Sequence, residues 1–150
     1  MEKAVRFLSL DPGGTTGIAI IEAGPTTPPT IELAEQVVDG VEGFISWHRS
    51  NQSLGWDFVV CESFTLRPGV KFPDLSPVYI IGALEALSPE APIFYQPPTS
   101  KPLCDDDVLK RLRFYQAGKP HANDAVRHGI IYLRNKRHMP TLQAAWPFED

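Results

Sequence analysis

The chain has 150 residues, of which 43% are apolar and 21% charged, and a formal net charge of -4. That length fits one domain with its own core, and the composition argues against a disordered chain or a membrane span. Cys61 and Cys104 are the only cysteines and the N-terminal MEKAVRFLSL runs straight into a strand pattern, so a disulfide scaffold and a signal peptide are not expected and a reducing cytoplasm is.

Residues 5–10 read as a strand and 17–22 as a second strand after a tight turn. The connection AGPTTPPT leads to a third run with apolar Ile31, Leu33, Val37 and Val38, read as a strand completing a meander. Residues 41–51 suit a short helix, and WDFVVCESF is a continuous apolar run ending in Glu62, as expected of a central strand buried on both faces. TLRPGVKFPDL is a loop. SPVYIIGALEALS reads as a helix with Ser76 as N-cap and Pro77 at its first position. APIFYQ is a short fifth strand and PPTSKP a loop or single turn. Residues 104–118 then form a helix stopped by Gly118, 121–138 a last helix, and 139–150 a C-terminal tail after a domain spanning 1–138. Three consecutive strands followed by alternating helices and strands predict an α/β fold: a five-stranded mixed sheet, three strands antiparallel and two parallel, flanked by helices.

The stretch LSLDPGGTTGIAI places one carboxylate, Asp11, at the end of a buried run. A buried charge is costly unless it is paired or bound to a cation, so Asp11 either forms the turn or faces something positive. If strands one and four are parallel neighbours, Glu62 stands beside it, beyond the carboxyl ends where sites lie in such sheets. Asp124 opens the last helix, with His121 one turn before it and His128 one turn after, on nearly the same face. Asp11, Glu62, Asp124 and His121 are hard oxygen donors and one imidazole. The set suits Mg²⁺, with Mn²⁺ able to substitute, and two ions bridged by Asp11 would serve phosphodiester hydrolysis. His128 is read as a supporting or surface histidine.

Charge is unevenly distributed. Residues 1–62 carry three Lys/Arg against nine Asp/Glu, whereas between 108 and 138 Lys110, Arg111, Arg113, Lys119, Arg127, Arg134, Lys136 and Arg137 face only Asp124. Such a segment is either a solvated helix face or a nucleic-acid footprint, for which Lys119 and Arg127 are the candidate contacts. Phe64, Arg67, Lys71 and Phe72 follow Glu62 in the loop. Arg67 and Lys71 could hold phosphates; Phe64 could stack on an exposed base or cover the core, and Phe72 is assigned to the core.

These motifs carry a resemblance. LSLDPGGTTGIAI resembles the first motif of RuvC-type Holliday junction resolvases, nucleases of the RNase H-like fold; VVCESF resembles their second acidic motif, YQPPTSK their fifth strand with its proline and lysine, and HANDAVRHGIIYL their last motif. The four occur in family order over nearly the whole chain. The resemblance implies an Mg²⁺-dependent crossover junction endodeoxyribonuclease acting on branched DNA with paired nicks, metal binding by Asp11, Glu62, His121 and Asp124, and an active-site role for Lys101 that includes DNA contact. It also implies a homodimer built around helix 77–87, whose Val78 and Ile81, spaced i, i+3, could face the partner, and the small size suggests a compact phage-like version. Two other classes remain: a single-lobe ATP-binding protein of the actin and sugar-kinase type, whose phosphate loop also reads Asp-x-Gly-x-Thr, and a catalytically silent DNA-binding relative.

Overall fold

In the computed structural model, which describes residues 2–148, the first three apolar runs form an antiparallel meander of β1 (Val5–Asp11), β2 (Thr16–Ala23) and β3 (Thr30–Val37). Helix α1 (Gly40–Asn51) carries the chain back to β4 (Phe58–Glu62), which lies parallel to β1, and α2 (Ser76–Leu87) carries it on to β5 (Ile93–Gln96), parallel to β4. The sheet order is β3-β2-β1-β4-β5, the predicted mixed sheet. After it come a short 3-10 turn over Pro98–Leu103 and helices α3 (Asp106–Leu112), α4 (Pro120–Asn135) and α5 (Met139–Ala145).

The pleat sorts the central strands into two cores. Leu8 and Leu10 of β1, Ile18 and Ile20 of β2, and Val59 and Cys61 of β4 pack with Phe44 and Trp47 of α1 and with Ile80 and Leu84 of α2. Phe7, Ala19, Ile21 and Val60 face the other way, against Ala125, Val126, Ile130 and Ile131 of α4. Successive strand side chains point to opposite faces, so Asp11 and Glu62, in step with Phe7 and Val60, share the α4 face.

Three local expectations change. The helix expected over 104–118 stops at Leu112. Arg113 adopts a left-handed conformation (φ 65°), its N–H bonds to the Leu109 and Lys110 carbonyls, and Phe114 turns back to donate to Leu109 O at 2.8 Å and pack on the core. This closure ends a helix without glycine. At α2, Ser76 is the first helical residue and not the cap: the Asp74 carboxylate accepts its N–H at 2.9 Å. The segment read as a tail contains α5, whose Thr141 and Ala145 are buried together with Trp146, under the Arg134 guanidinium 4.5 Å from the indole ring.

Helix α4 lies close on the sheet because two positions have no side chain. A Cβ on Gly129 would stand 2.2 Å from Ile21 Cδ1, and one on Gly17 would stand 1.8 Å from the backbone oxygen of His121. The first obstacle is a side-chain tip; the second is backbone that cannot yield without moving the start of α4. Gly17→Ala is therefore expected to cost about 1–3 kcal/mol, read as a lower urea midpoint. Gly14→Ala, with nothing within 4 Å of the added carbon, is the control, expected to stay within about 0.5 kcal/mol.

Candidate active site

Asp11 ends β1 and Glu62 ends β4, whose pairing brings Leu10 opposite Cys61; Glu62 is in turn opposite Gln96 at the end of β5. Three strand termini thus present polar groups side by side toward α4. The tight turn after Asp11 is closed by Thr16, whose hydroxyl donates to Gly13 O at 3.1 Å and accepts the Gly13 N–H at 3.4 Å. The Asp11 carboxylate instead lies 3.5 Å from His121 Nδ1 and within hydrogen-bonding reach of Glu62.

Helix α4 supplies the other wall. Pro120 suits its first turn, and Gln36 of β3 accepts the N–H groups of His121 and Ala122 at 2.9 and 3.3 Å. This satisfies two of the donors a helix start leaves open and ties α4 to the sheet. Ser9 Oγ donates to Ala125 O at 2.6 Å and pins the next turn. Asp124 then projects beside Lys101, which comes from the 3-10 turn. Lys101 Nζ is 2.9 Å from Glu62 Oε2 and 3.2 Å from Asp124 Oδ2. The buried His128 places Nε2 2.8 Å from the same Glu62 oxygen, and Gln96 Nε2 donates to His128 O at 2.7 Å.

The electrostatics follow from burial and partners. Burial and then the charge of Glu62 push the Asp11 carboxyl up to about 8. Burial acts in the same direction on Glu62, but hydrogen bonds from His128 and Lys101 outweigh it and hold this carboxyl at about 2. Lys101 is raised: burial would lower it, and Glu62, Asp11 and Asp124 more than compensate. The three carboxylates therefore carry more negative charge than their cations offset, and Asp11 bears the excess by retaining a proton.

Among the described residues, no three His, Cys, Asp or Glu side chains are already set around one point as a metal site. Lys101's ammonium stands between Glu62 and Asp124. In chemistry the donor set fits a hard divalent ion, with carboxylate oxygens in the majority and one exposed imidazole at the rim. The raised Asp11 carboxyl is the group such an ion would relieve.

The remaining candidates divide. Arg67 and Lys71 are exposed and Phe64 is half-buried, in the segment leaving Glu62; Lys119 is exposed at the start of α4. Phe72, assigned to the core, is 90% exposed; no helix or strand of this loop turns it inward, and both sheet faces are filled by α1, α2 and α4. Arg127, expected to meet DNA, is turned inward. It donates to Asp124 at 3.1 Å, to Asp106 at 2.7 Å and to the Cys104 carbonyl, so it tethers α3 and steadies Asp124. Gln96 escaped notice in the sequence, although it ends its strand as Glu62 ends β4, and His128 proves to be wholly buried.

Several solved structures share this architecture. RuvC of T. thermophilus in complex with a Holliday junction substrate superposes with a TM-score of 0.65 at 15% identity, over 89% of this chain and 97% of that one. The Fowlpox virus resolvase in complex with substrate Holliday junction DNA gives 0.62 at 16% identity, over 88% and 99%. No family model and no curated protein matches the chain. At such identities the likeness concerns the fold, and the chain has the RNase H-like fold of RuvC-type resolvases, as its motifs led us to expect.

The pH dependence of stability provides a check on the cluster. An unfolded Asp titrates near 3.9, so between that value and about 8 the unfolded chain releases a proton that the folded chain keeps. Metal-free protein accordingly loses stability as pH rises through this window. Asp11→Asn removes the effect: in EDTA, the variant is expected to melt above wild type at pH 8, by several degrees, with the gap shrinking toward pH 5.

Proposed function

We propose that this chain is an Mg²⁺-dependent endonuclease for branched DNA that resolves four-way junctions by paired nicks. The observation that carries the reading is the meeting of Asp11, Glu62 and Asp124, from two parallel strand ends and a helix, around a lysine cation. The shared fold of two proteins solved with Holliday junctions supports the choice of substrate.

Asp11, Glu62 and Asp124 would hold Mg²⁺, and His121 would favour acceptance of Mn²⁺. Bound ions supply an activated water and charge stabilisation at the phosphorus. The protein's own residues do the rest. The end of β1 holds Asp11 beside Glu62, where both could serve a bound ion, and Lys101, on the half-open side, can turn its ammonium from Glu62 to a phosphate oxygen. The small residues Gly13 and Gly14 leave room for a nucleic-acid backbone beside Asp11. Arg67, Lys71 and Lys119 would carry phosphates, and the exposed Phe72, with Phe64 behind it, would meet unstacked bases.

Two symmetric nicks call for two active sites, and a C2 dimer is the simplest way to supply them. Helix α2 is apolar around most of its circumference. Ile80 and Leu84 are buried, whereas Val78 and Tyr79 are exposed and the space over Gly82 is open. Ile81, expected to face the partner, packs partly on the α1–α2 core. The exposed stripe is therefore Val78, Tyr79 and Gly82, with the exposed Leu75 one turn before it.

The test is incubation with labelled four-way junction, flap and linear duplex. Paired cuts in the junction with Mg²⁺ or Mn²⁺, and none in EDTA, are expected. Asp11→Asn, Glu62→Gln and Asp124→Asn should each lower the rate by at least about 100-fold without loss of junction binding, and wild-type rates in these variants would remove the metal assignment. Tyr79→Glu should sediment as a folded monomer that nicks one strand only; a monomeric wild type making paired cuts would refute the dimer.

A further inference from the structure

His128 is fully buried, yet it lies one helical turn beyond Asp124 and hydrogen-bonds Glu62. The two donors on Glu62 are not equivalent. His128 and Lys101 both approach Oε2, at 2.8 and 2.9 Å, and leave Oε1 to neither. Lys101 sits on a short 3-10 turn with a flexible, 29% exposed side chain, free to swing outward. His128 has no such freedom, because the α4 backbone and the core around it fix the ring.

Gln96 sets the proton on that ring. Its amide nitrogen donates to His128 O at 2.7 Å and stands 3.5 Å from His128 Nδ1. An N–H facing Nδ1 requires a lone pair there, and Glu62 requires a donor at Nε2. Both demands select the Nε2–H tautomer. Gln96 holds this orientation although its own carbonyl oxygen Oε1 is buried without a hydrogen-bond partner among the described residues. Turning the amide over would place that oxygen against the His128 carbonyl. A buried acceptor without a protein partner is costly, and the bond to His128 O holds the amide in that orientation.

We propose that Gln96 and His128 form a positioning pair that holds Glu62 by Oε2 with its other oxygen taken by neither donor and available to a divalent cation, so that Lys101 is the exchangeable partner and His128 the permanent one. The inference rests on the nuclease reading above. Outer partners of this kind typically change metal affinity by about 10–100-fold when removed.

The pair is tested on the full chain by ¹⁵N NMR of His128 and by Mn²⁺ titration calorimetry without DNA. The wild-type ring should show the Nε2–H tautomer. His128→Leu should bind Mn²⁺ about 10–100-fold more weakly, and His128→Gln, which keeps a donor, should recover most of the loss. Gln96→Leu provides a second variant should the buried leucine unfold the protein, and is expected to weaken Mn²⁺ in the same sense. An Nδ1–H tautomer in the wild type overturns the pair. So does wild-type Mn²⁺ affinity in folded Gln96→Leu and His128→Leu while Asp11→Asn loses binding, a result that leaves the nuclease reading intact. If wild type binds no Mn²⁺ at all, both readings fall.

Discussion

Asp11, Glu62 and Asp124 repel one another, and the architecture on the α4 side of the sheet is arranged around containing that repulsion. Each carboxylate has a different remedy. Glu62 takes two donors on one oxygen, Asp124 is shared between Lys101 and Arg127, and Asp11 keeps a proton. Buried like charges survive only with such compensation, and here it is incomplete at one position. On our reading, that shortfall is what a bound cation would make good.

Holding charges in this state demands a rigid frame. The pleat aims Asp11, Glu62 and Gln96 at one face from three adjacent strands, and α4 is brought close enough to answer them by Gly17 and Gly129. Gln36 caps the helix from β3, Ser9 pins it from β1, and Arg127 ties it to α3. Each of these contacts sits within a turn or two of His121, Asp124 or His128. The opposite face of the sheet, under α1 and α2, carries mostly apolar packing. The division of labour between the two faces follows from the period of two along each strand.

The segment from Glu62 to α2 behaves differently from both faces. Leu66, Val70, Phe72 and Leu75 are exposed in succession, and Val78 and Tyr79 continue the run onto α2. So many large apolar side chains in water next to a charged cluster are unusual for a monomer. Our reading gives the loop part to DNA bases and the helical part to a second subunit.

Much of the fold was legible in the chain. Apolar runs of strand length, Pro and Gly connections and a carboxylate closing each of two buried runs located the sheet and marked Asp11 and Glu62. Asp124 and His121 were marked by their spacing on one helix face, and Lys101 by motif. What the sequence left undecided concerns groups whose meaning depends on a distant partner. Arg127 reads as one more surface cation in a basic segment until Asp106 and Asp124 are seen on either side of it, and Phe72 reads as core until the core is seen to be full. Gln96 is a neutral residue of no evident chemistry until β5 pairs with β4 and sets it against His128, 32 residues away in the chain. Local periodicity and backbone preference are short-range and are written in neighbouring residues. The pairing of buried charges and amides is a long-range choice that only the closed tertiary structure makes, because only there does water withdraw and leave each polar group with one available partner.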